Sequence, residues 1–325
     1  MDASGIVHAT QGRNGLTMTS APSYTYVLIT PARNEEAFIE LTIQSVVAQT
    51  IRPAKWVIVS DGSTDRTDEI VLKYAAMYDW IELVRMPERK ERHFAGKVHA
   101  FNAGYARVND LEYDIIGNLD ADITFEPDYF QFLLSKFQLF PDLGVAGTPF
   151  REGDFQYDYR FVSIEHVSGA CQLFRRQCFE AVGGYTPLPR GVDLIAVTTA
   201  RMNGWMTRCF TEKCSHHHRK QGTGMHKSVM VSYWSGYYDY ALGVCPLWQV
   251  VRSLYEMRLN PYVVGGCCAF AGYFWAMLTG VKRPVSQELI AFRKREAMLR
   301  LRSLVKNLLM FRGFHVYAGK PVGNP

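Results

Sequence analysis

The stretch Tyr113-Asp114-Ile115-Ile116-Gly117-Asn118-Leu119-Asp120-Ala121-Asp122 decides the fold. Its apolar part reads as a buried strand, with Gly117 and Asn118 near its exit. A carboxylate where a strand leaves an α/β sheet lies at the edge where such sheets bind ligands. Two carboxylates there can hold a hard divalent cation, and the cation can hold a diphosphate. Asp-x-Asp is a common triplet, so its weight depends on its company.

Upstream, Tyr24 to Thr30 is a β-type run that Pro31 is expected to stop. Apolar residues at helical spacing (Phe38, Leu41, Val46, Val47) predict a helix over 35–48. Lys55 to Ser60 is a second strand, and Thr64 or Asp65 caps a helix running to about Tyr78. Trp80 to Arg85 is a third strand, 97–106 a helix and Asp114 to Leu119 a fourth strand. This alternation predicts an α/β fold, a mostly parallel sheet covered by helices.

The chain has 325 residues, enough for one large domain with an appendage or for two modest domains, and 48% hydrophobic with 21% charged residues is the range of a folded globular protein. A net charge of +5 is too mild to imply nucleic acid as a partner. Seven scattered cysteines form no disulfide framework and fit a reducing compartment. Residues 1–23 are polar with no apolar h-region and read as a flexible tail, not a signal peptide. Character changes after about Gly224, which divides the chain into a catalytic domain over 24–224 and a helical region over 225–325.

The strand exits carry the chemistry. The first delivers Thr30-Pro31-Ala32-Arg33-Asn34-Glu35-Glu36, where Asn34 can cap the following helix; a simple strand-to-helix turn would look the same. The second delivers Ser60-Asp61-Gly62-Ser63-Thr64-Asp65, in which Gly62 permits a tight turn and Asp61 either forms an Asx turn or faces a ligand. Gly96-Lys97 is no P-loop, because Glu91 stands where the first glycine belongs and Val98 replaces Ser/Thr. No G-x-G-x-x-G follows a strand. Phosphates must therefore be met by a metal and side chains, which steers away from NAD enzymes and P-loop NTPases.

Thr-Pro-Ala-Arg-Asn-Glu-Glu, Ser-Asp-Gly-Ser-Thr-Asp, Gly-Lys-x-x-Ala-Phe-Asn-Ala-Gly and Asp-Ala-Asp together resemble the nucleotide-binding half of a family 2 glycosyltransferase over about residues 24 to 215. The resemblance implies a GT-A fold, a nucleotide-sugar donor (UDP by family weight), Mg2+ or Mn2+, and inversion at the anomeric carbon. Carried over by position, Asp61 resembles the acid that reads the base, Pro31, Arg33 and Glu35 line the nucleotide, and Lys97 lies on the base and ribose side. Asp120 would face the ribose and the metal region, and Asp122 would ligate the metal.

Inverting transfer also needs a base for the acceptor hydroxyl. Gly183-Gly184-Tyr185 matches the family's turn, and Asn203-Gly204-Trp205 its helix end. Counting back from Gly204 puts Asp193 on the aspartate of the usual Glu-Asp pair, with Val192 where the glutamate is usual. Asp193 is the only acid between Glu180 and Glu212, and it can also serve as a helix N-cap. Ser168-Gly169-Ala170-Cys171 matches a segment that approaches the donor sugar. His216-His217-His218-Arg219 follows a strand at about 207–210. His217 and Arg219 are expected on the donor phosphates and His218 on the metal; a solvated basic loop and a zinc site with Cys209 and Cys214 are the alternatives.

Residues 261–281 are almost wholly apolar, just enough to cross a bilayer core. Basic residues on both flanks disfavour a simple crossing. An in-plane or dipping arrangement is expected, with Tyr233 to Val251 interfacial and 286–311 a basic amphipathic helix whose Leu301, Leu304, Val305 and Leu308 share one face. The alternative is a helical subdomain packed on the catalytic domain or on a second subunit. Processive synthases of the family carry Gln-x-x-Arg-Trp, whereas Gln221 is followed by Gly-Thr-Gly. The expectation is transfer of one sugar onto a lipid-linked or glycan acceptor in exopolysaccharide or envelope assembly, by an enzyme held peripherally or monotopically at the cytoplasmic face of the membrane.

Overall fold

A computed structural model of the chain describes residues 24–88, 94–152, 163–219 and 229–310. The expected tail over 1–23, Arg92-His93, the expected boundary at Gln221 to Gly224, and the end of the last helix at 311 lie outside the described residues.

The elements run β1 (Tyr26–Ala32), α1 (Ile39–Val47), β2 (Lys55–Asp61), α2 (Thr67–Ala75), β3 (Ile81–Met86), α3 (Phe94–Tyr105), β4 (Ile115–Leu119) and β5 (Ile123–Thr124). There follow α4 (Tyr129–Leu139), β6 (Leu143–Gly147), β7 (Phe150–Arg151), β8 (Cys171–Arg175), α5 (Arg176–Ala181), α6 (Val192–Met202), β9 (Met206–Cys209) and β10 (Ser215–His217). Four helices close the described chain: α7 (Val229–Ala241), α8 (Pro246–Glu256), α9 (Val264–Leu278) and α10 (Gln287–Leu309).

The main sheet has the order β3-β2-β1-β4-β8-β6-β9. Its first four strands are parallel, β8 is antiparallel to β4 and β6, and β9 is parallel to β6. The order turns back between β1 and β4, because β2 and β3 grow on one side of β1 and β4 on the other. That switch point opens a crevice at the carboxyl ends of β1 and β4, where ligands bind in such sheets. The strands β1, β2 and β4 are buried on both faces, as near-continuous apolar runs require. One core lies under α1, α2 and α4, built on Leu28, Trp56, Ile58, Tyr129 and Phe137. The other lies under α3 and α6, built on Val27, Ile29, Val57, Phe101 and Val197. Gly104 lets α3 lie on the sheet: a Cβ there would stand 2.6 Å from Ile29 Cγ2. A small sheet, β5-β10-β7, caps the crevice.

Three sequence expectations are corrected. Pro31 does not stop β1; it pairs in register with Val59. The ladder to β4 ends at Ile29, so Pro31 has a partner on one side only and a missing N–H is tolerated there. In α1 the buried face is Ile39, Thr42, Ile43 and Val46, while Leu41 faces solvent. In α10 the inward stripe is Leu289, Ala297 and Leu304. Val305 and Leu308 lie outside, so the expected apolar face is split by packing onto the catalytic domain.

That packing is specific. Leu188, Ile195, Leu242 and Leu289 form one cluster across α6, the end of α7 and α10. Arg201 of α6 grips Glu296 of α10 through Nε at 2.8 Å and Nη2 at 3.2 Å. Within the helical layer, Gly236 of α7 faces the backbone of Ala269, and Gly272 of α9 faces that of Tyr233. An added Cβ would stand 1.8 and 2.0 Å from those carbonyl oxygens, so glycine alone allows the crossing. Helix α9 has 15 residues, and no helix among the described residues is long and apolar enough to cross a membrane. Of the 24 exposed large hydrophobic side chains among the described residues, 18 lie in the C-terminal helices and their connections, including Trp234, Tyr262, Phe270, Trp275 and Leu278.

Candidate active site

The crevice is built from the loops that leave β1, β2 and β4. The first two are stitched together. Asn34, in the left-handed region at φ 54°, does not cap α1; its Oδ1 accepts from the Thr64 backbone N–H at 2.8 Å. The Glu35 N–H donates to Thr67 Oγ1 at 2.7 Å, the Glu36 N–H to Asp65 Oδ2 at 3.1 Å, and the Arg66 N–H to Glu36 Oε2 at 3.1 Å. Asp65 also accepts the Thr67 N–H at 3.0 Å, an Asx-type bond; the N-cap of α2 is Arg66, without a side-chain capping bond, so neither Thr64 nor Asp65 caps the helix as expected. Pro31, Arg33 and Glu35 are thereby fixed against the exit of β2. Asp61 is buried there, with Arg33 Nη1 at 3.9 Å from its Oδ2.

Asp120 and Asp122 leave β4 on opposite sides of Ala121. The Asp120 N–H donates to the Ala170 carbonyl at 2.9 Å, and Asn118 Nδ2 donates to the Gly169 carbonyl at 2.7 Å. The small-residue segment before β8 is thus tied to the carboxylate strand. The same segment touches Asp193, since a Cβ on Gly169 would lie 3.0 Å from Asp193 Cγ and Oδ2. Residues 168–170 bring the exit of β4 and the start of α6 together, and only glycine leaves room. Asp193 is not the cap of α6; Gly191, in the left-handed region at φ 71°, is the N-cap and Asp193 follows in the first turn. Its side chain is spared that backbone task and is half-buried.

Lys97, in the first turn of α3, reaches Asp120 in a short ion pair. Burial pulls the Lys97 ammonium down, but Asp120 above all, with Asp193 and Asp122, outweighs it, and its pKa is raised. One ammonium therefore senses all three carboxylates. Asp122 is buried, and burial followed by the Asp120 charge raises its pKa against the pull of His217, Arg219 and Lys97. His217 Nε2 lies 3.5 Å from Asp122 Oδ1 and Arg219 Nε 3.7 Å from Asp122 Oδ2. On its other side His217 Nδ1 is buried without a hydrogen-bond partner, 3.7 Å from Glu152 Oε2.

The histidine run divides by strand alternation. In β10 His217 pairs with Ile123 and His216 with Thr124 of β5. His217 therefore turns inward to Asp122, whereas the expected metal ligand His218 turns its Nε2 to Thr124 Oγ1 at 2.9 Å and its ring onto Phe38. The structure places His217, not His218, against the carboxylate. Cys209 is buried and Cys214 half-buried, and no group of three or more His, Cys, Asp or Glu side chains that could hold a metal ion is assembled among the described residues. Glu152 belongs to the site and was not singled out from the sequence, whereas Asn118 and the Gly169 segment were, and they take part through the bond to the Gly169 carbonyl and the contact with Asp193.

Glu35 is held by Arg219 in a short ion pair. Burial, then the opposing pull of Arg219, then the charges of Asp122, Asp120 and Asp65 leave Glu35 raised to about 7. A carboxyl that binds its proton more tightly when folded contributes stability below its ordinary pKa of 4.5 and loses it as pH rises through about 7. Unfolding midpoints of the protein and of Glu35→Gln should therefore diverge as pH is raised from about 5 to about 8, the wild type declining more steeply. Parallel profiles would refute the assignment.

This sheet, with its switch-point crevice and carboxylate pair, defines a glycosyltransferase domain of the GT-A type. The model of glycosyl transferase family 2 matches residues 27–187, and this domain of the chain belongs to that family. A poly-beta-1,6-N-acetyl-D-glucosamine synthase of Staphylococcus aureus (strain COL) is 32% identical over 117 residues, 36% of this chain and 26% of the relative. A 4,4'-diaponeurosporenoate glycosyltransferase of Staphylococcus aureus (strain USA300) is 31% identical over 190 residues, 51% of this chain and 48% of the relative. The match thus spans about a quarter to a half of the length of these curated relatives. Among solved structures, the mannosyltransferase PcManGT from Pyrobaculum calidifontis, in complex with GDP-Man and Mn2+, superposes with a TM-score of 0.54 at 18% identity, covering 93% of this chain and 88% of that one. TarS 1-349 of S. aureus in complex with UDP-GlcNAc gives 0.53 at 15% identity, covering 88% and 87%. At these identities the structures attest the fold.

Proposed function

We propose that the protein is an inverting, metal-dependent glycosyltransferase that moves one sugar from a nucleotide-sugar, UDP-linked by preference, to a hydroxyl of a lipid-linked or glycan acceptor. The observation that carries this reading is the grouping of acids at the switch point of the sheet: Asp120 pairs with Lys97 and is tied through the Ala170 carbonyl to the segment whose Gly169 lies against Asp193, with Asp122 two residues further on. The donor set fits Mg2+ or Mn2+: two carboxylates, one of them buried with its charge opposed by the other, gain from a hard cation between them. Asp122 and Asp120 would hold it, and a divalent cation there would offset the charge of a departing nucleoside diphosphate.

The chain's own groups supply the rest. Asp61 and Arg33 face the base, Pro31 and Glu35 line the nucleotide, and Arg219 and Lys97 are cations that can pass from Glu35 and Asp120 to the diphosphate. Asp193 takes the acceptor hydroxyl's proton. The neighbours named with UDP-GlcNAc and GDP-Man support a nucleotide-sugar donor. The exposed apolar side chains of α7 to α9, beside outward Lys294, Arg295, Arg302 and Lys306 of α10, support attachment to the cytoplasmic face of an anionic membrane.

The similarity to a poly-beta-1,6-N-acetyl-D-glucosamine synthase favours a second reading, chain extension. Product length separates the two. Incubation of the full chain with a UDP-sugar panel, Mn2+ and bacterial membrane lipid should release UDP and add a single sugar. A polymer ladder would favour extension, and no UDP release with any donor would sink both readings.

A further inference from the structure

A cavity of about 810 Å3 lies between the loop that leads into α6 and the C-terminal helices. Its charged lining is Arg190, Lys282 and Arg283, and no carboxylate is among its lining residues. Asp239, on the same helix as the lining Tyr237 and Tyr238, is already engaged by Arg252 at 2.8 Å. The remaining wall is largely apolar, including Leu242 and Val285. Arg283 lies with its guanidinium over the Tyr240 ring, 4.2 Å from the centroid, and its Nε is buried without a hydrogen-bond partner. A buried guanidinium N–H left unmatched is costly unless a ligand completes it. Arg190 precedes Asp193 by three residues, so their Cα atoms are within roughly 11 Å by chain length alone. The cavity also borders the helical layer that carries most of the exposed apolar side chains.

We propose that this cavity holds the phosphate of an acceptor that bears an apolar chain. Arg190, Lys282 and Arg283 meet the phosphate, the tyrosines and aliphatic wall take the start of the chain, and the remainder runs out over the apolar face of α7 and α9. The acceptor's hydroxyl is thereby delivered to Asp193. This inference rests on the glycosyltransferase reading and names where its acceptor binds.

The test is titration of the full chain with decyl phosphate, below its micellar concentration, against decanol and inorganic phosphate, followed by thermal shift and calorimetry. Decyl phosphate should bind at least about tenfold more tightly than either control, because charge and chain are both required. Arg190→Ala with Lys282→Ala removes two exposed side chains that the fold does not need. The pair should weaken decyl phosphate about tenfold or more and leave UDP binding with Mn2+ unchanged. Arg283→Lys, which keeps charge and loses the fork, should weaken it less. Equal binding of decanol, or no change in the double variant, would overturn the proposal. So would a double variant that loses only its affinity for phosphatidylglycerol vesicles, which would assign the cations to a lipid headgroup. UDP binding without decyl phosphate binding would remove this inference alone. Failure of UDP to bind would instead remove the donor reading, while the decyl phosphate result still decides the cavity.

Discussion

Asp122→Ala is expected to lower sugar transfer by about 10³-fold or more, roughly 4 kcal/mol of lost transition-state stabilisation, with the fold intact. The side chain is buried between His217 and Arg219, and Asp120 lies close enough to raise its pKa. Removing it deletes one half of the carboxylate pair and leaves His217 and Arg219 without the carboxylate between them. Donor diphosphate would still meet Arg219 and Lys97, so UDP affinity without metal should fall little or even rise. What should vanish is the Mn2+-dependent increment, read as the difference in UDP-sugar affinity between Mn2+-supplemented and metal-stripped buffer. Asp120→Ala tests the same pair from the other side. It also releases Lys97, so its loss of activity should be accompanied by weaker metal dependence but stronger nucleotide binding. If Asp122→Ala turns over normally, the metal reading of the pair fails.

The parallel half of the sheet was legible because β1, β2 and β4 are buried on both faces and so read as apolar runs, with turn residues at each exit. The rest was harder for physical reasons. Strand β6 is Leu-Gly-Val-Ala-Gly, too small and glycine-rich to signal a strand, and Gly144 and Gly147 are there because Trp205 and Val167 leave no room for a Cβ. The small sheet is built of two- and three-residue strands, shorter than any periodicity can register. That sheet is what separates His217 from His218, so the choice between them could not be made from an uninterrupted run of histidines. Period-two alternation does say that only one of two adjacent residues faces the crevice, and the pairing with β5 selects His217. Glu152 joins the site through a contact across 65 residues of sequence (from His217), which no local pattern encodes; the 168–171 segment was legible, but its contact with Asp193, across 24 residues, was not. In α10, Arg201 and Glu296 decide which face turns inward, and a helical wheel of α10 alone has no access to that pairing.

Asp193→Asn is expected to lower transfer about 10²- to 10⁴-fold while donor binding stays within roughly twofold, the range for removing a positioned general base. The amide is nearly isosteric, so it keeps the contact with Gly169 that ties α6 to the 168–170 segment. It keeps a polar group in the first turn of α6 as well, and because Gly191 is the N-cap, no capping bond is lost. The one property removed is the capacity to take a proton. The fall should therefore appear in kcat with KM for the donor unchanged, and the unfolding midpoint should stay within about 2 °C, since a substitution without a broken contact costs well under 1 kcal/mol. A merely structural Asp193 would behave differently. Asp193→Asn would then be almost silent and Asp193→Ala destabilising, because only the latter empties the space against Gly169. The neighbouring Val192 sharpens the comparison, because no adjacent glutamate is present to substitute for the lost base. Val192→Glu combined with Asp193→Asn is therefore the one change that should restore part of the rate, if a carboxylate at the start of α6 is what the reaction needs.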